Sequence, residues 1–214
     1  MEAFTVHSYS MEKAFSRRGN PVGKAELRLP MVTGESKAAK RINRQYKHLG
    51  DSLLDYAERR LSKSMEEDMG DSYGFTPFSL VSDYRVTENT EDVLSLYLDI
   101  TLKCSFAKTQ LLRFGGTWDT HSGFPLPMDH FFGKSQNYKK ALIENANRLI
   151  IGSAAPEYDA IYAEYPRLLR RHFSRDNFYI RENRLCLFYL PGTLAAYDVG
   201  ILVFPCKILQ KDNN

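Results

Sequence analysis

Asp119, His121, Asp129 and His130 stand close together in the chain, and their side chains are of the kinds that bind metal ions or pass protons. A zinc centre needs three or four ligands held in tight geometry. In a local motif such as HExxH, helical spacing puts two histidines on one face with a glutamate beside them. The four residues here match neither that spacing, nor CxxC, nor the nucleophile turn of a serine hydrolase. Asp119 and Ser122, ahead of Gly123, are also ordinary turn formers, since their side chains bond nearby backbone. The sequence therefore assigns no catalytic residue, no metal ligand and no cofactor. A hydrolase working through His121, Asp129 and His130 stands as the alternative to a non-enzymatic reading.

The three cysteines, Cys104, Cys186 and Cys206, are widely spaced. Each sits in an apolar, strand-like run, which reads as three buried free thiols rather than a disulfide or a metal site. Cys104 could serve as a nucleophile only if the fold set a histidine beside it. Its parity with Ile100 and Leu102 points it into the core instead. Gly115-Gly116, inside a strand, marks a bulge or the close approach of another backbone rather than a phosphate cradle.

Charge offers a further candidate. The net charge of +3 is unevenly spread. Residues 1–50 carry ten basic and four acidic side chains, residues 51–99 four and twelve, and residues 100–214 fifteen and ten. Lys37, Lys40, Arg44 and Lys47 are spaced by three and four, so they share one side of a helix, with Arg41 and His48 nearby. Positive charge at a helix N-terminus opposes the macrodipole by about 0.3–1 kcal/mol per group. That face serves either solvent or an anionic partner, so Lys40, Arg44 and Lys47 are binding candidates. Arg167, Arg170, Arg171 and Arg175 form a second cluster. No nucleic-acid motif accompanies either patch, so nucleic acid is not the expected partner.

The elements that must position these residues belong to one α+β domain spanning 1–214. Hydrophobic residues make up 43% of the chain and charged residues 26%, a globular balance. Phe4 to Tyr9 reads as a strand and Arg17 to Pro21 as a loop. Ala25, Leu27, Leu29 and Met31 then alternate on one strand face, with Pro30 suggesting a sheet edge. Ile42, Tyr46, Leu49, Leu53, Ala57, Leu61 and Met65 form one apolar stripe on a long helix that ends near Gly70. Gly50 interrupts it at about 1 kcal/mol against alanine, which suggests a kink. Strands follow with Phe78, Leu80, Tyr84 and Val86 on one parity, then Leu94, Leu96, Leu98, Ile100 and Leu102. A third runs from about Phe106 to Trp118, followed by an extended link from Phe124 to Phe132. Ser135 is placed as the cap of a helix ending at Gly152, a short helix spans about Pro156 to Glu164, and Pro166 opens another. Strand segments at about 178–190 and 199–208 close the chain, the first containing two strands and a turn. The expectation is an antiparallel sheet packed on the long N-terminal helix, with short helices before the last two strands.

Several of these stretches resemble one known family in order. They are Leu27-Arg-Leu-Pro-Met-Val-Thr-Gly34 running into Lys40-Arg-Ile-Asn43, Trp118-Asp-Thr-His-Ser-Gly123, Leu126-Pro-Met-Asp-His-Phe-Phe132, Asn177-Phe-Tyr-Ile180 and Leu194-Ala-Ala-Tyr-Asp-Val-Gly200. They are similar to the domain found at the C-terminal end of the lysozyme-sensing anti-sigma factor RsiV and on the N-terminal side of the peptidoglycan deacetylase PdaC. The resemblance covers roughly residues 25–208. Ser105-Phe-Ala-Lys108 stands where relatives commonly carry Gly-Gly-Ala-His, and Ala196 where they carry proline.

The resemblance implies a non-enzymatic ligand- or protein-binding module, with a protein or a cell-wall-related ligand as partner. Tyr197 and Gly200, in the loop before the last strand, are its candidate recognition residues. Tyr197 serves there either as an exposed anchor or as a tyrosine that fixes the loop. Met1 to Asn20 lacks the apolar stretch of a secretory signal, and no segment reads as a membrane span, so the expected location is the cytosol.

Overall fold

The computed structural model describes residues 3–67, 78–104, 107–132, 137–152, 158 and 160–208. Its first two strands, β1 (Val6–Arg17) and β2 (Asn20–Val32), form a hairpin closed by Arg18 and Gly19, both at positive φ. A two-residue turn of this kind matches the natural twist of paired strands. The loop expected at Arg17–Pro21 is thus a tight turn, and β1 runs well beyond Tyr9. Its mostly exposed, polar second half hid the strand from hydropathy.

Ala25, Leu27, Leu29 and Val32 of β2 are buried beneath helix α1 (Lys37–Glu67). The side chain of Ser36 caps that helix by accepting the Ala39 N–H at 3.0 Å. Its stripe buries Ile42, Tyr46, Ala57 and Leu61, with Leu49 and Leu53 partly buried. Gly50 is where the helix crosses the hairpin. A Cβ there would meet Leu29 Cδ1 and Met11 Sδ at 2.6 Å, so the missing side chain permits close packing.

The helix carries the chain back to the end where β2 began, so β3 (Phe78–Asn89) runs parallel to β2. β4 (Val93–Cys104) and β5 (Ala107–Asp119) follow antiparallel, giving the order β1-β2-β3-β4-β5. The sheet is therefore mixed, not antiparallel throughout as expected. Pro30 does not mark an edge either, because β2 lies between β1 and β3. It is tolerated because the β2–β3 ladder ends at Leu27↔Ser82, short of the proline. Leu94, Leu96, Leu98, Ile100 and Leu102 are all buried on the helix side, as their alternation predicts.

The closing segment forms a second sheet. β6 (Phe178–Arg181) and β7 (Arg184–Tyr189) make a hairpin through Glu182 and Asn183, both at positive φ, and β8 (Leu202–Lys207) pairs with β7. Three strands thus follow the helices, the two strands and turn read within 178–190 and the strand read within 199–208, but they form a sheet of their own. One face of this sheet, through Phe178, Ile180, Leu185, Leu187, Tyr189, Leu202 and Phe204, packs on α2 (Tyr138–Gly152) and α3 (Tyr165–Arg171). The other, through Tyr179, Cys186 and Phe188, packs with Tyr97 on the back of the first sheet. The layers run α1, five strands, three strands, then α2 and α3. A sheet covered on both faces explains the nearly unbroken apolar run of β6 and β7.

Asn137 supplies a cap to α2, its Oδ1 accepting the Lys140 N–H at 3.2 Å. Cys186 is buried, whereas Cys104 and Cys206 are only half-buried, because both lie at strand ends; all three are free. Ser135, the side chain of Met65, the stop at Gly70, the Ser105–Lys108 side chains and, of the expected Pro156–Glu164 helix, residues 156, 157 and 159 fall outside the described residues; residues 160–164 are not helical but form turns around the isolated Ile161–Ala195 bridge.

Candidate functional site

The loop between β7 and β8 carries the first candidate. Residues Tyr197–Val199 form one 3-10 turn, and Gly200 follows at φ 84°, a backbone angle that favours glycine. The Tyr197 hydroxyl accepts the backbone N–H of Leu111 on β5, the edge strand of the first sheet. The ring is 38% exposed. Tyr197 therefore fixes its loop, but from a partly exposed position and not as a core tyrosine. With Tyr162, itself 42% exposed, it lines a hollow of about 630 Å³ that also includes Thr109, Gly192, Ala196 and Asp198. Tyr162 is joined to this loop by its backbone N–H, which donates to Leu194 O at 2.9 Å.

Basic residues on α1 border a second, open hollow of about 490 Å³. Lys40, Arg44 and Lys47 all line it and are exposed, but so are Glu35 and Asp51 on its wall. Lys40 Nζ lies 2.7 Å from Glu35, and that hydrogen bond and charge hold the Glu35 carboxyl below its ordinary pKa. Lys47 sits over the Tyr9 ring at 5.6 Å. Arg41 turns away, donating to Ser122 O at 2.6 Å and stacking over Phe124.

The four residues that suggested chemistry have separate employments. Asp119 accepts the Ser122 N–H at 2.6 Å, which closes the turn and lowers the carboxyl pKa. His121 Nε2 lies 3.0 Å from Asp92 of the β3–β4 connection, in an exposed pair. His130 packs its ring against Phe131, and Asp129 lines a different cleft. Among the described residues no group of three or more His, Cys, Asp or Glu side chains could hold a metal ion. No helix among them is long and apolar enough to cross a membrane.

That cleft, about 230 Å³, lies between β5 and the start of α2, and no sequence motif marks it. Gly115, Thr117, Asp129, Tyr138, Arg175 and Phe178 contribute to its wall. They come from four separated segments, so only the fold assembles them. A half-buried charged cluster at the contact of the two sheets was equally invisible. Arg113 makes two 2.7 Å hydrogen bonds to Asp99 and stacks over Tyr97 at 3.7 Å. Burial opposes its charge, but the bonds and charge of Asp99 outweigh that and raise its pKa.

No family model and no curated protein matches the sequence. Solved structures do match it. A DUF3298 family member from Bacteroides fragilis NCTC 9343 superposes with a TM-score of 0.65, covering 96% of this chain and 91% of that one at 12% identity. A DUF3298 family protein from Pseudomonas aeruginosa PAO1 gives 0.60, covering 95% and 90% at 11% identity. At such identity the likeness is one of fold. Over nearly its whole length this chain has the fold of those DUF3298 proteins, the RsiV/PdaC-like domain suggested by its strand and turn residues.

Proposed function

We propose that this chain is a non-enzymatic binding module that receives a protein or a cell-wall-related ligand in the hollow lined by Tyr162 and Tyr197. One observation carries the reading. Two half-exposed tyrosines flank a 630 Å³ hollow, and one of them is tied by its hydroxyl to an edge strand. Tyrosine offers a large contact surface with few rotatable bonds, so little entropy is lost on binding. Holding Tyr197 against β5 reduces that loss further, because the ring is ordered before the ligand arrives. The separate employments of Asp119, His121 and His130 favour binding over hydrolysis.

The test is co-sedimentation with purified bacterial peptidoglycan, alongside titration with lysozyme as the protein probe. Saturable binding to either, weakened about tenfold or more in Tyr162→Ala and Tyr197→Ala, is expected if these rings are anchors worth about 2 kcal/mol each. Tyr197→Phe separates the hydroxyl's tethering role from the ring's contact. Binding to neither probe, or binding indifferent to both alanine variants, would remove the hollow from consideration.

A further inference from the structure

β5 is the outermost strand of the first sheet, and one side of its backbone pairs with β4. Residues along an antiparallel strand turn their N–H and C=O groups alternately towards and away from that neighbour. Three bonds show which residues of β5 face outward. The Leu111 N–H donates to the Tyr197 hydroxyl, Thr117 O accepts the Leu126 N–H at 2.8 Å, and the Asp119 N–H donates to Phe124 O at 3.0 Å. The pairing with β4 runs without a bulge from Gln110 to Asp119, so Arg113 and Gly115 face outward too. Among the described residues nothing bonds the backbone N–H or C=O of either one on that side. The chain covers both ends of this edge and leaves the middle open.

An open strand edge invites pairing, and proteins usually blunt it with charge, proline or a bulge. The opposite edge follows that rule: β1 carries Glu12, Lys13 and Arg17 and shifts register between Phe15 and Ser16. From Leu111 to Thr117, β5 has no proline, no bulge and a single charge. That charge, Arg113, is bound by Asp99 on the face that the second sheet covers. On the other face Leu112 and Phe114 stand opposite the buried Ile100 and Leu98, yet they are 36% and 45% exposed. Open backbone groups beside exposed apolar side chains are the two things an added strand binds.

We propose that the outer edge of β5 between Leu111 and Thr117 takes a short extended segment of a partner protein as a sixth strand. The backbone decides the class. Donors and acceptors that recur at every second residue, about 7 Å apart, fit another extended peptide. Apolar side chains at alternate positions of that segment lie beside Leu112 and Phe114. Those between them point to the opposite face, where the 230 Å³ cleft opens at Gly115 and Thr117. A second copy of this chain fits less well. Two-fold pairing centred on Phe114 would set Leu111 against Thr117 of the copy, so the Tyr197 loop would collide with the copy's segment from Phe124 to Leu126. The proposal rests on the reading of this chain as a protein-binding module, but not on the tyrosine hollow.

The probe is a phage-displayed library of random heptapeptides, selected on the immobilised full chain, with the strongest binder then synthesised. That peptide should carry apolar residues at every second position and bind saturably. N-methylation of its amides should weaken binding about fivefold or more at one parity, the scale of a lost hydrogen bond, and little at the other. Hydrogen exchange at the Arg113 and Gly115 amides should slow in the complex. Phe114→Lys should lose the peptide, and Tyr162→Ala should keep it. No binder, or one indifferent to the parity of methylation, would overturn the proposal. So would a peptide lost in Tyr162→Ala and kept in Phe114→Lys, which would belong to the tyrosine hollow. A dimer of the chain that Phe114→Lys dissolves would give the edge to a second copy and overturn it as well. The methylation scan and the exchange measurement use the parent protein, so they decide the matter even if Phe114→Lys fails to fold. None of these results alters the peptidoglycan and lysozyme tests of the hollow.

Discussion

Gly115 of β5 lies so close beneath Phe178 of β6 that a Cβ built on it would meet the Phe178 carbonyl oxygen at 1.8 Å. The two sheets therefore touch backbone to backbone at this point. Above the same face, the Ile180 N–H donates to the Ser95 hydroxyl at 2.8 Å, and Ser95 is bonded in turn to Thr117. Serine, threonine and glycine on the back of the first sheet are what let the second sheet settle there.

Gly115→Ala should accordingly cost about 3 kcal/mol, the upper part of the range for overpacking a closed core. Gly152→Ala is the control: no atom lies within 4 Å of its added Cβ, and helix propensity favours alanine. Urea unfolding of the two variants compares them. Equal stabilities would mean that the sheets part easily at Phe178.

Trp118 Nε1 donates to the Tyr46 hydroxyl at 2.9 Å, both groups being buried. Tyr46→Phe leaves the indole N–H buried without an acceptor, at a cost of about 1–3 kcal/mol. Trp118→Phe made in the Tyr46→Phe background should cost less than it does alone, because the orphaned donor goes with it. A double-mutant cycle with no coupling would deny the bond an energetic role.

Burial pushes Tyr179 up to about 12, with Cys186 adding to the rise and Arg113 opposing it. Tyr46 and Tyr189 are raised further by the same cause. An unfolded tyrosine titrates near 10. Above that pH the unfolded chain releases protons that the folded one retains, so alkali favours unfolding. Stability should be flat up to about pH 10 and then fall steadily towards pH 12. Each tyrosine contributes at most about 1.4 kcal/mol per pH unit. Thermal melts across that range, paired with tyrosinate absorbance, check both the onset and its cause.

The basic face of α1 should prove a weak polyanion site, because Glu35 and Asp51 share its hollow. Retention on heparin should end at low salt and change little when Lys40, Arg44 and Lys47 are replaced by Glu. Exposed substitutions of this kind alter stability by about 0.5 kcal/mol or less, so folding does not confuse the assay. Retention that persists into moderate salt and vanishes in the triple variant would instead assign a polyanion partner.

Local periodicity made much of the first layer legible. The stripe from Ile42 to Leu61 and the alternation from Leu94 to Leu102 each need only one segment to be read; the second is buried throughout as expected, and the first is buried but for the half-buried Leu49 and Leu53. Gly115-Gly116 was also readable as a close approach, though not what approaches. Relations between distant segments were not readable. Asp99 and Arg113 face each other only through the β4–β5 register, on the sheet face that the second sheet covers around Tyr97. The parallel β2–β3 pairing depended on the return path of α1, which hydropathy does not encode. Tyr197 was found from its loop, but its neighbour Tyr162 was not, because an isolated bridge between Ile161 and Ala195 joins those segments.

The parallel pairing of β2 with β3 also sets a timetable for synthesis. The β1–β2 hairpin is complete once Val32 has emerged, but Gly23 finds its partner only when Phe78 arrives, after the whole of α1. Until then the inner strand of the hairpin offers an open edge to any extended chain nearby. Closing so long a loop also takes up chain entropy before its contacts form, which slows folding. A nascent chain stalled between Val32 and Phe78 is therefore the form of this protein most exposed to mispairing, and the stretch of translation where a ribosome-bound chaperone has the most to shield.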